Sequence, residues 1–397
     1  MKRIKAALRV IIICVILLIT NSVTPISAQE SVSKADSLEI SLLTCSPHEE
    51  IYSLYGHTAL RCKDLKTSED WVFNYGIFSF KKPFFALRFT LGITDYELGV
   101  MSFSTFKREY IKYGSQVVEQ VLNLTETEKQ NLYDALKINS LPKNKTYRYN
   151  FFYDNCTTRA RDMVERFVKG EIKYAYDDTY APTYRQIIHE HTVGHPWAAF
   201  GNDLCLGAKA DIATTPIQQQ FIPGKLMHDF DRAQIYSYGT YRPLVKARNI
   251  VVEPGVQIIE KDFPFSPSQC AYILLVLSVA IAFIEYKQRR SYKIWDVILM
   301  LTTGIAGLIV LALFFSEHPT TSTNLQILIL NPITLFFIPQ VIKGRKDTYW
   351  KLSMYMILLF FIGTFFQDYA EGMEVVALSL LTRCFTHRKS VFKKDKR

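Results

Sequence analysis

The carboxy-terminal third of the chain contains five apolar stretches, and these restrict the possible fold more than any other feature. They cover residues 268–286, 294–315, 325–341, 352–366 and 373–385. A transmembrane helix needs about 20 mostly apolar residues to cross a hydrocarbon core of about 30 Å. The fifth stretch, about 13 residues long, is short for this purpose. The pattern predicts an all-α bundle of about five transmembrane helices over residues 266–386.

The charges between the apolar stretches predict the orientation of this bundle. Alternate loops are basic, while loops 316–324 and 367–372 contain no lysine or arginine. The basic residues are Lys287, Arg289, Arg290 and Lys293 in one loop, Lys343, Arg345, Lys346 and Lys351 in another, and Arg383, Arg388, Lys389, Lys393, Lys394, Lys396 and Arg397 at the end. Because basic loops remain in the cytoplasm, we predict a multi-pass protein of a bacterial inner (cytoplasmic) membrane, with residues 387–397 as a basic cytoplasmic tail. The same residues account for much of the net charge of +10, so no nucleic-acid partner is expected.

The amino terminus has the pattern of a secretory signal peptide over residues 1–28. Basic residues precede an apolar run at 10–19, and the small residues Ser27 and Ala28 follow. An uncleaved first transmembrane helix is the alternative, but the apolar run has only about half the length that spanning requires. Residues 29–265 are therefore predicted to form a periplasmic domain.

The periplasmic domain combines strand and helix patterns and is predicted to be α+β. Segments 40–44, 51–62 and 71–76 have strand composition, and a polar turn between the last two predicts a hairpin. Thr125 and Glu128 form a capping-box pattern before an amphipathic helix that reaches residue 139. An aromatic, strand-like run at 147–153 precedes a second helix at 157–168.

Cys156 and His57 are the pair best suited to chemistry. Cys156 follows the capping residues Asp154 and Asn155 and opens the predicted helix, where the helix dipole favours a thiolate. His57 follows Gly56 in a predicted strand and would act as the base. A third polar group usually orients such an imidazole. We expect Asn74 on the paired strand to do this, with Asp70 as its competitor.

Other interpretations of these residues remain open. Cys156 and His57 could both be structural, and the spacing of the periplasmic cysteines (Cys45, Cys62, Cys156 and Cys205) specifies no disulfide. A zinc site would draw on His189, His191, His195 and Cys205, but these spacings match no familiar ligand pattern. We therefore expect neither a metal nor a cofactor.

At these residues the chain resembles the Lnb-type lipoprotein N-acyltransferase family. The two signatures are Tyr55-Gly56-His57-Thr58-Ala59-Leu60-Arg61 and Tyr153-Asp154-Asn155-Cys156-Thr157-Thr158-Arg159, and further likeness lies at 43–47, 73–76, 196–207 and 318–332. The order of His before Cys is also similar to that of permuted NlpC/P60 proteins and acyltransferases of the lecithin:retinol type. The resemblance implies a permuted papain-like periplasmic domain followed by the membrane bundle.

The resemblance also implies a reaction. A fatty acyl chain would pass from a membrane phospholipid to Cys156 as a thioester, and then to the α-amine of a diacylglyceryl-cysteine lipoprotein. The catalytic residues would be Cys156, His57 and Asn74, and the predicted substrate-binding residues are Tyr55, Arg61, Asn155, Arg159 and His318. Backbone N–H groups at the helix start around Cys156 and Thr157 are candidates for the oxyanion hole. A membrane-anchored cell-wall amidase or peptidase of the NlpC/P60 type is the alternative, and the sequence leaves the oligomeric state open.

Overall fold

The computed structural model describes residues 37–48, 50–78, 83–176, 179–257, 263–344 and 348–388. The predicted signal peptide and most of the basic tail lie outside these ranges. Within them, a sheet-rich domain precedes a helical carboxy-terminal region, so the predicted α+β class with a membrane bundle is confirmed.

The periplasmic region is built on a seven-stranded antiparallel sheet. Its strands are β1 (Leu38–Cys45), β2 (His57–Asp64), β3 (Asp70–Ile77), β4 (Asp95–Ser102), β5 (Val117–Leu122), β6 (Thr146–Arg148) and β10 (Val245–Val252). They lie side by side in the order β10-β5-β1-β2-β3-β4-β6. A smaller sheet joins β7 (Glu171–Lys173), β8 (Gln234–Ser237) and β9 (Thr240–Pro243). The predicted hairpin of the second and third strands is confirmed.

Helices cover both faces of the large sheet. In chain order they are α1 (Phe85–Thr90), α2 (Phe103–Tyr113), α3 (Glu126–Asn139), α4 (Cys156–Phe167), α5 (Tyr184–His191), α6 (Pro196–Cys205), α7 (Pro216–Gln219) and α8 (Pro223–Arg232). Because successive strand residues point to opposite faces, Leu42 joins a core with α3 and α4, while Leu43 joins a second core with α2. This double cover explains why most of β1 is buried.

Local sequence signals fixed the starts of two helices. Thr125 and Glu128 form the predicted capping box of α3. The second predicted helix begins one residue early, at Cys156, with Asn155 as its N-cap.

The prediction of a strand-like run at 147–153 is mostly wrong, because only Thr146–Arg148 forms a strand in this part of the chain. The chain then turns, since the side chain of Asn150 accepts a hydrogen bond from the backbone N–H of Phe152. The ring of Phe152 packs against Tyr184 and Phe221 instead of extending a sheet.

All five apolar stretches form helix. They contain α9 (Pro267–Gln288), α10 (Lys293–Phe314), a 3₁₀ turn (Leu325–Leu328) followed by α11 (Ile333–Ile342), α12 (Thr348–Gly363) and α13 (Met373–Arg388). Among the described residues, three segments are long and apolar enough to cross a membrane: Pro267–Gln288, Lys293–Phe314 and Leu325–Ile342. The third is interrupted at Asn331 and Pro332, as a proline within an apolar segment predicts.

The fifth segment is held by buried ion pairs. Arg383 of α13 donates to Asp296 of α10 at 2.7 Å and to Glu285 of α9 at 3.0 Å, and all three side chains are fully buried. The charge pattern predicts that Arg383 faces the cytoplasm, but its charge is neutralised inside the bundle. A buried charge is tolerated only when it is paired in this way.

The end of α6 docks onto the outer loops of the bundle. The backbone N–H of Gly207 donates to Thr320 at 2.9 Å, and Asn324 donates to the carbonyl of Leu204 at 2.8 Å. A Cβ atom on Gly207 would lie 2.3 Å from the carbonyl oxygen of Ser322, so this approach requires glycine. The periplasmic region and the bundle are therefore joined by specific backbone contacts.

Candidate active site

The sheet and one helix bring Cys156, His57 and Asn74 to a single place. His57 is the first residue of β2, Asn74 is near the end of the antiparallel strand β3, and Cys156 is the first residue of α4. Leu60 pairs with Phe73, and this register sets the start of β2 beside the end of β3. The site thus forms where these two inner strands of the sheet end and α4 begins.

Asn155 fixes the start of α4. Its side-chain oxygen accepts hydrogen bonds from the backbone N–H groups of Thr157 and Thr158, at 2.9 and 3.0 Å, and its amide donates to the carbonyls of Phe151 and Phe221. Asn155 is buried, and it positions the cysteine at the positive end of the helix dipole. The inclusion of Thr157 in the oxyanion hole is wrong, because its N–H is already donated to Asn155; the Cys156 N–H stays a candidate.

Two glycines with positive φ allow the close approach at the site. Gly56 has φ of +77°, and a Cβ there would lie 2.7 Å from the carbonyl oxygen of Cys45. Gly76 has φ of +93°, and its Cβ would lie 3.6 Å from Cβ of Cys156 and 3.8 Å from Cε1 of His57. Left-handed backbone of this kind favours glycine. Gly76 therefore keeps the space beside the thiol and the imidazole open.

Asn74 is the hydrogen-bond partner of the imidazole. Its Oδ1 lies 2.5 Å from Nε2 of His57. With Nε2–H donating to this oxygen, Nδ1 is the nitrogen left for the thiol. Asp70, the competing candidate, lies at the opposite end of β3 and pairs with Arg61 at 2.6 Å.

The environment of Cys156 favours the thiolate. Burial raises the pKa of the thiol, but the charge and hydrogen bond of His57, the backbone N–H of Thr58 and the hydroxyl of Thr157 lower the pKa to about 7. Burial lowers the pKa of His57, but the negative charge of Cys156 and the hydrogen bonds with Cys156 and Asn74 together outweigh this effect and raise the pKa. Since the thiolate is the nucleophilic form, the pair is suited to attack on a carbonyl at neutral pH.

Arg61 is engaged in ion pairs away from the thiol. Its guanidinium donates to Asp70 at 2.8 and 2.6 Å and to Glu119 at 2.8 Å, and it covers the ring of Phe103. These contacts join β2, β3 and β5. A substrate-binding role for Arg61 stays a prediction, and the structure gives this side chain other partners.

Arg159 braces the turn before α4. It makes two hydrogen bonds to Asp154, at 2.6 and 2.7 Å, and lies 3.6 Å above the ring of Tyr147. Its role toward phosphate also stays a prediction.

Tyr55 and His318 contact other parts of the fold. The Tyr55 hydroxyl accepts a hydrogen bond from Asn202 of α6 at 2.8 Å. His318 lies in the loop after α10, and its Nε2 donates to the carbonyl of Phe89 at 2.9 Å. Tyr55 therefore connects the strand entry at Gly56 to α6, while His318 connects the bundle to α1.

A row of aromatic rings beside the thiol was not predicted from the sequence. Tyr149 stacks on Tyr96 with centroids 4.0 Å apart, and Phe78 stacks on Tyr96 at 4.9 Å. Burial raises the pKa of Tyr96 and Tyr149, and the negative charge of Cys156 adds to this effect, so both rings lie within electrostatic range of the thiolate. The aromatic richness of this part of the sequence was visible, but the strands that bring the rings together are distant in the chain.

The alternative sites receive little support. Within the described part of the chain, no group of three or more His, Cys, Asp or Glu residues is placed to hold a metal ion. His189 instead pairs with Asp203 at 2.8 Å. Cys45 and Cys62 are free and lie opposite His57 and Ile40, respectively, so they are at different ends of the β1–β2 pair.

Comparisons with known proteins agree with this architecture. Residues 27–190 match the model of the Lnb N-terminal periplasmic domain, and residues 258–395 match that of the Lnb transmembrane domain. A search of curated proteins and one of solved structures found no match. The two matches together cover most of the chain, with the periplasmic domain before the transmembrane domain as in the structure. The protein therefore belongs to the Lnb family.

Proposed function

We propose that this protein is a lipoprotein N-acyltransferase of the inner membrane. The observation that carries the proposal is the Cys156–His57–Asn74 arrangement in a periplasmic domain that is joined to a membrane bundle. The donor is a membrane phospholipid, and the acceptor is the free α-amine of a diacylglyceryl-cysteine lipoprotein.

The first half-reaction forms a thioester. The Cys156 thiolate attacks the carbonyl carbon of a fatty acyl ester, and the carbon–oxygen bond of the ester breaks. The imidazolium of His57 gives its proton to the departing oxygen of the lysophospholipid. Asn74 holds the ring so that Nδ1 faces the reacting atoms.

The second half-reaction forms an amide. The neutral α-amine attacks the thioester carbon, His57 takes a proton from the nitrogen, and the Cys156 thiolate leaves. Thioesters react readily with amines and slowly with water, which suits an enzyme that must avoid hydrolysis. Amidase or peptidase activity on the cell wall would use the same thiol, but one membrane anchor would suffice for it.

Mass spectrometry of lipoprotein amino termini tests the proposal. A strain lacking the gene should lose the N-linked acyl chain, and the wild-type gene should restore it. Cys156→Ala should fail to restore it, whereas Cys205→Ala, which alters an exposed cysteine, should succeed. Unchanged N-acylation in the deletion strain, with no second acyltransferase present, would contradict the proposal. Altered muropeptides in the same strain would instead support the amidase.

A further inference from the structure

The short helix α1 is tied to the outer end of a membrane-spanning helix. The backbone N–H of Glu317 donates to the carbonyl of Leu91 at 2.9 Å, and His318 donates to Phe89. Glu317 follows the end of α10 by three residues. A Cβ on Gly92 would lie only 3.1 Å from the backbone nitrogen of His318, so the two backbones are in close contact. These contacts set α1 beside the end of α10, one of the three helical segments long and apolar enough to cross a membrane in the described part of the chain.

Large apolar side chains are exposed at the start of α1 and on the described part of this helix. Phe84 is 80% exposed, Leu87 54% and Phe89 44%. Phe84 also has φ of +54°, an uncommon conformation for a bulky residue. A surface pocket of about 430 Å³ lies here, lined by Pro83, Phe84, Leu87, Arg88, Leu91 and Ile93. Large apolar side chains in this position would be unfavourable in water.

We propose that Phe84 and α1 are immersed in the outer leaflet and that their pocket takes an acyl chain of a phospholipid. The tie to α10 supports this occupant, because it places the exposed rings at the membrane interface, where aromatic side chains concentrate. Arg88 borders the pocket and carries a charge that suits the headgroup region.

The residues on either side of α1 in the sequence include two that lie near Cys156. Gly76 lies beside the thiol at the end of β3, and Phe78 follows it. After α1, the chain enters β4, where Tyr96 stacks on Phe78. Ile93 lines the pocket, and the carbonyl of the next residue, Thr94, accepts a hydrogen bond from the backbone N–H of Tyr149 at 3.3 Å. An acyl chain held at α1 would thus lie close to the aromatic row that borders the thiol. This second step rests on the proposed function, whereas the lipid contact does not.

Photocrosslinking in the full-length protein tests the lipid contact. A benzophenone amino acid would replace Phe84 or Leu87 in protein reconstituted into nanodiscs that contain a tagged phosphatidylethanolamine. Phe315, 79% exposed after α10, serves as the positive control, and Ile138, 59% exposed on α3, as the negative one. We expect lipid adducts at Phe84 and Leu87 at least five times more abundant than at Ile138. Adduct levels equal to those at Ile138, or crosslinks to a second copy of the chain, would overturn the proposal.

A double variant tests the link to the thiol. Phe84→Ser with Leu87→Ser should slow acylation of Cys156 from phospholipid vesicles at least fivefold, while alkylation of Cys156 by iodoacetamide stays unchanged. An unchanged acylation rate would overturn the acyl-chain pocket. If wild type itself forms no acyl-enzyme, the proposed function fails, and the crosslinks still decide the lipid contact.

Discussion

The side-chain amide of Gln326 donates a 2.9 Å hydrogen bond to the backbone carbonyl of Asp203. Gln326 belongs to the third apolar segment, and Asp203 lies on α6 of the periplasmic domain. The carboxylate of Asp203 is held in turn by Arg185 and His189, both at 2.8 Å. A buried polar group that loses its partner costs about 1–3 kcal/mol. We call these contacts between α6 and the third apolar segment the joint; because they are buried, they favour one arrangement of the periplasmic domain on the bundle.

We expect the joint to be required for acyl transfer. Replacing the bundle from Ser268 onward with one unrelated transmembrane helix should abolish N-acylation of lipoproteins, because the docking partners of α6 are lost. The alkylation of Cys156 by iodoacetamide should keep its midpoint at about pH 7, which shows that the domain is folded, since a thiol in an unfolded chain has a higher pKa. Full activity of the single-helix chimera would mean that the bundle is only an anchor.

Asn74→Ala should slow acyl-enzyme formation by roughly 10-fold or more, because a misoriented base loses much of its catalytic contribution. Single-turnover acylation of Cys156 measures this rate. Asp70→Ala is the matched control, since Asp70 lies at the other end of the same strand and contacts Arg61. A larger effect at Asp70 than at Asn74 would reverse the assignment of the orienting residue.

The thiol should titrate near neutral pH. In a Cys205→Ala background, the rate of iodoacetamide alkylation of Cys156 should rise with pH and reach half of its maximum at about pH 7, because only the thiolate reacts and the pKa is lowered to about 7. His57→Ala removes the charge and the hydrogen bond that do most to lower the pKa of Cys156, while burial, which raises this pKa, remains. The midpoint should then move to higher pH; an unchanged midpoint would exclude His57 as the charge partner.

Gly56 should tolerate substitution less well than another glycine of similar backbone conformation. Gly56→Ala brings a Cβ within 2.7 Å of a carbonyl oxygen, whereas Gly239, with φ of +81°, has nothing within 4 Å of its added Cβ. Both variants carry backbone strain of about 1–3 kcal/mol, but only Gly56→Ala adds a clash. Thermal unfolding in detergent should show a lower Tm for Gly56→Ala than for Gly239→Ala, and equal values would refute the clash.

Much of the candidate site was predictable because its signals are local. A capping residue before a cysteine indicates a helix start, and Asn155 and Cys156 follow this rule. A glycine before His57 indicates a tight approach, and Gly56 has the positive φ that this requires. The strand prediction for the aromatic run at 147–153 was mostly wrong, because a high content of aromatic residues does not distinguish a strand from a packed turn.

The sequence by itself determined the two-region architecture, because apolar length and the placement of lysine and arginine act through the membrane and not through distant contacts. Only the tertiary structure decided which residue orients His57, which carboxylates hold Arg61, and how α6 and α1 meet the bundle. These choices depend on strand register and on the approach of segments far apart in the chain, since a hydrogen bond requires its donor and acceptor to lie within about 3 Å of each other and an ion pair within about 4 Å. Asn74 and Asp70 are four residues apart on one strand, and the β2–β3 pairing alone sets the first beside His57 and the second beside Arg61.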